Sequence, residues 1–180
     1  MISLRSKITK AVLGYFFLHE QAEEYINELA RKLSLDSGNL TRKLKELEDV
    51  GILVSSARGK ETYFSLNKSF PLLKEYKKII LKTIGFEAQL KQALEKIAGI
   101  KNAYIYGSYA QNQMNANSDI DVLIIGDHDT LELQKKIATI QKSMDRDINV
   151  TQLSLNESQK KEKTDSFYKG ILKKPKIKII

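Results

Sequence analysis

The stretch that most constrains this chain is Ile105-Tyr106-Gly107-Ser108-Tyr109-Ala110, followed by Ser118-Asp119-Ile120-Asp121-Val122-Leu123-Ile124-Ile125. The first part reads as a short apolar strand that ends in a Gly-Ser turn. The second reads as another strand, largely apolar, with aspartates two residues apart. Side chains at i and i+2 of a strand share a face. Asp119 and Asp121 are therefore expected side by side, with Ile120 and Val122 facing the opposite, buried way. Adjacent carboxylates repel unless a cation sits between them, and hard oxygen ligands suit magnesium. Gly107 permits close backbone approach, and residues after Ser108 can open a helix whose free N–H groups attract phosphate. A phosphate cradle beside a carboxylate pair is what metal-assisted nucleotidyl transfer requires.

Gly107-Ser108-x-Ala110 with Ser118-Asp119-Ile120-Asp121 and the apolar tail resembles the minimal nucleotidyltransferases of the DNA polymerase beta superfamily. The resemblance implies that Gly107 and Ser108 hold a nucleoside triphosphate. It also implies that Asp119 and Asp121 bind catalytic Mg2+, with a third carboxylate from a later strand completing the metal site. Gln111 and Asn112 stand where that family commonly has Arg and Gly.

In the family that the chain resembles, a basic residue precedes a strand of the form apolar-Asp-apolar whose Asp is the third ligand. Arg146-Asp147-Ile148-Asn149-Val150 matches that pattern, and the resemblance implies that Asn149 occupies the place of the acid. An amide supplies a neutral oxygen and leaves the site one negative charge short, so metal affinity and activation of an acceptor hydroxyl should both fall. Asp147 lies two residues earlier on the same expected face, displaced by about 6–7 Å at a strand rise of roughly 3.3 Å per residue.

The N-terminal third has a different pattern. Leu4–Phe17, Glu23–Leu33 and Ser37–Val50 read as helices from their apolar spacing, with Asp36 or Ser37 able to cap the third and Gly51 to end it. Two strand-like runs follow, Ile52–Ser56 and Glu61–Leu66, around the tip Ala57-Arg58-Gly59-Lys60. Three helices and a basic-tipped hairpin over Met1–Leu66 resemble a winged helix-turn-helix domain of the bacterial transcription-regulator type. In that family the third helix enters the DNA major groove. The resemblance thus implies that Asn39 and Arg42 could read base edges, beside Thr41. Lys43, Lys45, Arg58 and Lys60 would meet phosphates. The charge of residues 1–68 is nearly balanced, at eleven Lys/Arg against nine Asp/Glu.

Pro71 marks a boundary, and Leu72–Ile84 and Phe86–Ile97 keep helical spacing. The expected organisation is α+β: a winged helix-turn-helix over 1–68, a helical linker over 69–99, and a small mixed-sheet nucleotidyltransferase fold over 100–180. Thr130 can cap a helix over Leu131–Met144, and the alternation over Lys176–Ile180 reads as a last strand. His128, beside Asp127 and Asp129, reads as a solvated loop residue.

Across all 180 residues the net charge of +8 favours polyanionic partners. The absence of cysteine excludes disulfides and thiolate metal sites. No apolar run has the length of a membrane span, and Met1–Lys10 lacks a signal-peptide pattern, so a cytoplasmic protein is expected. Three functional readings stand. One is a regulator on double-stranded DNA, as monomer or homodimer, whose C-terminal domain senses a nucleotide without turnover. Another is an active nucleotidyltransferase targeted by the winged helix. The third, implied by the resemblance, is an antitoxin-like protein that binds or modifies a partner toxin.

Overall fold

Ser6 starts the first helix, α1 (Lys7–Leu18), its side chain accepting the Thr9 N–H. Val12, Leu13, Phe16 and Phe17 of α1 are essentially inaccessible to solvent. Full burial of side chains of this size stabilises by roughly 1.5–3 kcal/mol each. The structure, a computed structural model, describes residues 2–115 and 117–180. It divides into two compact units, Met1–Ala88 and Gln89–Ile180.

In the first unit, Glu24 and Tyr25 lie outside the helix expected from Glu23. They form a short strand, β1 (Glu24–Tyr25), paired antiparallel with Tyr63 and Phe64. The departure has a local cause. Glu24 is 6% exposed, and its Oε1 accepts from the Tyr15 hydroxyl and from Lys32 Nζ. A buried carboxylate needs such partners, and here they override helical periodicity. The chain continues as α2 (Ile26–Leu33) and α3 (Ser37–Asp49). Asp36 caps α3 by accepting the Asn39 N–H, and Leu40, Leu44 and Leu47 form its buried stripe. The hairpin β2 (Leu53–Arg58) and β3 (Glu61–Leu66) turns at Gly59, whose φ of 63° lies in the left-handed region. The sheet order is β1-β3-β2. Helix α4 (Leu73–Thr83) follows, with Ile80 and Leu81 buried, and α5 (Phe86–Leu94) runs across the division between the units.

The second unit is built on β4 (Ile100–Tyr106), β5 (Ile120–Gly126), β6 (Ile148–Leu153) and β7 (Ile177–Lys178), in the order β6-β5-β4-β7. Strand β4 pairs antiparallel with β5 and β7, whereas β5 and β6 are parallel. A parallel pair needs a crossover, supplied by α7 (Thr130–Met144). Asp129, not Thr130, caps α7, accepting from the Leu131 and Glu132 N–H groups.

Strand β5 alternates. Ile120, Val122 and Ile124 are buried on one face. On the other, Leu123 and Ile125 pack with Tyr106, Leu153, Tyr168 and Ile171. The last two residues belong to α9 (Ser166–Lys173), which follows α8 (Leu155–Thr164). Among the described residues no helix is long and apolar enough to cross a membrane.

Candidate nucleotide site

The turn after β4 and the start of β5 are brought together by strand pairing. Tyr106, the last residue of β4, is the register partner of Asp121. The next residue, Gly107, opens a four-residue helix, α6 (Gly107–Ala110), with φ at 69°. The Asp121 carboxylate packs directly over the Gly107 Cα, so a Cβ at position 107 would collide with Oδ2. Two constraints therefore select glycine: a left-handed backbone and a carboxylate in the space of a side chain. Ser108 follows, half-buried.

Asp121 is half-buried on β5, on the face that carries Leu123. Asp119 is exposed and lies one residue before the strand begins. The pair is thus asymmetric: one acid is set in a sheet, the other stands on the loop that enters it. Burial raises the Asp121 carboxyl above the ordinary range; the Asn149 amide pulls it down, and the charge of Asp119 pushes it up. The two carboxylates therefore feel each other.

Across the parallel pair, Asn149 is the register partner of Asp121. Its Nδ2 donates to Asp121 Oδ1 at 3.2 Å. Residue 149 thus stands opposite the acid on the neighbouring strand, and its side chain meets it through nitrogen rather than oxygen. Asp147 precedes β6, and its carbonyl accepts the Ile120 N–H at 3.0 Å.

One contributor was not singled out by the sequence. Arg146 Nη1 donates to the carbonyls of Asn115 and Ser118, at 3.3 Å each. These residues belong to the loop that delivers Asp119. A basic residue before a strand is visible in sequence, but its reach to two carbonyls some thirty residues earlier in the chain is not.

Among the described residues no group of three or more His, Asp or Glu side chains converges on one point. Magnesium does not require one. It keeps several waters and is commonly held by one or two carboxylates together with substrate phosphates. Two interacting carboxylates, one of them destabilised by burial, fit such an ion, which would relieve their repulsion. When bound, magnesium would polarise a phosphoryl oxygen and screen charge that develops on it.

In the first unit, Asn39, Arg42 and Lys45 are exposed on α3, and Arg58 and Lys60 flank the hairpin tip. Thr41 Oγ1 donates to the Ser37 carbonyl at 2.7 Å. Arg42 Nη2 donates to Asn39 Oδ1 at 3.1 Å. Lys43 pairs with Glu46, and Arg58 pairs with Glu23 while its guanidinium lies 4.8 Å from the Tyr63 ring centroid. Two of the four expected phosphate contacts, Lys43 and Arg58, are therefore engaged within the unit.

A small mixed sheet with a glycine turn against an acid of a central strand fits a nucleotidyltransferase fold. Residues 88–173 match the family described as Polymerase beta, Nucleotidyltransferase. The chain is also similar to a solved toxin–antitoxin with AMP-PNP, at 18% identity and a TM-score of 0.39, over 52% of this chain and 72% of the other. A toxin–antitoxin MntA–HpeT mutant is similar at 15% identity and a TM-score of 0.39, with the same shares of 52% and 72%. A candidate nucleotidyltransferase from Sulfolobus solfataricus follows at 15% identity and 0.29, over 42% of this chain and 68% of that one. A search of curated proteins finds no match to the chain.

Proposed function

We propose that the C-terminal unit binds a nucleoside triphosphate with Mg2+, using Gly107 and Ser108 for the phosphates and Asp119 and Asp121 for the ion. The observation that carries this reading is the contact of the Asp121 carboxylate with the Gly107 Cα. It places an acid beside a turn whose backbone N–H groups are suited to phosphate. In a transfer reaction an acceptor hydroxyl would attack the α-phosphorus in line, and pyrophosphate would leave with the P–O bond that breaks. Asn149 supports nucleotide binding with weak turnover, since no third carboxylate stands at its register to strengthen the metal or take the acceptor proton.

For the partner, the nearly balanced charge of residues 1–68 and the internal pairing of Lys43 and Arg58 favour a protein over duplex DNA. The antitoxin-like reading, in which a partner toxin is bound or modified, therefore leads. The second reading keeps the unit as a winged helix-turn-helix that docks α3 in a major groove. Its support is the exposure of Asn39, Arg42 and Lys45 on one helix.

The test is equilibrium binding of a labelled nucleoside triphosphate with and without Mg2+. Magnesium-dependent binding that disappears when both Asp119 and Asp121 are changed to Asn supports the site. Equal binding in wild type and double variant removes it.

A further inference from the structure

The loop before β5 is held at both ends. Within it, Asn115 N–H donates to Ser118 Oγ at 3.0 Å and Asn117 N–H to Asn115 Oδ1 at 3.0 Å. The Ser118 N–H closes the turn onto the Asn115 carbonyl at 3.2 Å. These bonds shape the loop but do not anchor it to the sheet. The anchor comes from the segment that opens β6. Arg146 Nη1 bridges the Asn115 and Ser118 carbonyls at 3.3 Å each, and the Asp147 carbonyl accepts the Ile120 N–H at 3.0 Å. Asp119 lies between the two attachment points, exposed and outside any strand.

An exposed acid on a loop would ordinarily sample many positions, and ordering it would cost free energy each time a cation bound. We infer that Arg146 is a positioning residue: it fixes the loop carrying Asp119, so that this carboxylate is pre-placed to share a divalent cation with Asp121. Asp121 needs no such help, being set in β5 and hydrogen-bonded to Asn149. A guanidinium suits the task because Nη1 carries two N–H donors fixed in the guanidinium plane, whereas a lysine ammonium is a point donor on a flexible stem. This inference rests on the cation reading of Asp119 and Asp121 proposed above.

The experiment uses the full chain and Mn2+ as probe, with bound ion followed by loss of the free-ion paramagnetic resonance signal. Partners that orient metal ligands typically account for about 10–100-fold in affinity. Arg146→Ala is expected to weaken Mn2+ binding by about tenfold or more, and Arg146→Lys by less. In the Asp119→Asn background Arg146→Ala should have almost no further effect, because the residue to be positioned is gone. An additive loss in that background, or unchanged affinity in Arg146→Ala, overturns the inference.

Amide hydrogen exchange gives a readout free of metal. Arg146→Ala should speed exchange at Asn117, Ser118 and Ile120 while β4 and β5 beyond Val122 keep their protection. Uniformly faster exchange would mean general destabilisation and would sink the positioning role. Failure of wild type to bind Mn2+ overturns the cation reading itself and the ligand role of Arg146 with it. In that event the exchange data still decide whether Arg146 holds the loop.

Discussion

Asn149 donates its side-chain amide to the carboxylate of Asp121 from the adjacent parallel strand, 3.2 Å away. This bond replaces what a third acid would make into a repulsion. It steadies Asp121 when no cation is present, and it denies a cation one charged ligand. Stability and catalytic competence pull against each other at this one contact.

Asn149→Asp should therefore act in opposite directions on two observables. Without metal, three carboxylates crowd the site and the hydrogen bond is lost, so thermal unfolding should begin at lower temperature. With Mg2+ and a nucleoside triphosphate, release of pyrophosphate should rise. A variant that gains nothing over wild type would show that residue 149 does not limit transfer.

Asp121→Asn is expected to stabilise the protein while it destroys magnesium-dependent nucleotide binding. The raised carboxyl pKa means that the charged form is disfavoured in the fold, chiefly by burial. Removing the charge removes that penalty. A melting temperature that drops would contradict the stated cause.

Gly107→Ala should lose both stability and nucleotide binding. It introduces a Cβ at positive φ and drives it into the Asp121 carboxylate. The left-handed backbone alone costs about 1–2 kcal/mol for a residue with a side chain. Chemical denaturation would give the first effect and titration with labelled triphosphate the second.

Tyr15 sets an alkaline limit on the N-terminal unit. Burial and its hydrogen bond to Glu24 push the hydroxyl up from 10.0 to about 12, against the opposing pull of Lys32. The neutral phenol is thus favoured in the fold, while the unfolded chain ionises near the ordinary value. Its contribution to stability is complete below that value and is lost as pH rises towards about 12. Tyr15→Phe should cost about 0.5–1.5 kcal/mol near neutral pH, the worth of a hydrogen bond. It should also flatten the alkaline fall in denaturation midpoint.

Duplex DNA separates the two partner readings. If α3 docks in a groove, Arg42→Ala with Lys43→Ala should weaken binding and reduce the log-salt slope by about 0.9 for each phosphate contact removed. No retardation of duplex at low salt would leave the protein partner as the reading to pursue.

Much of the C-terminal unit is legible in sequence because its strands are apolar and short. The glycine turn, the β5 alternation and α7 all follow from local pattern. The placement of Asp119 outside β5 does not, since a strand boundary depends on where its neighbour ends. Helix α8 escaped for a different reason. Among its described residues α8 buries none, so it carries no apolar stripe. Its capping box, Ser154 with Glu157, was nevertheless present to be read. In the first unit, β1 was hidden because a buried Glu24, Tyr15 and Lys32 meet from three separate elements.

The order of strands β6-β5-β4-β7 has a consequence for synthesis of the protein. Asp121 takes Tyr106 as its register partner on one side and Asn149 on the other, so its surroundings are assembled from segments translated well apart. A nascent chain that has released β4 and β5 holds only that antiparallel pair of the second sheet, and translation must pass β6 before the acid gains its second neighbour. Polypeptides stalled on the ribosome ahead of that point should emerge unable to capture a triphosphate.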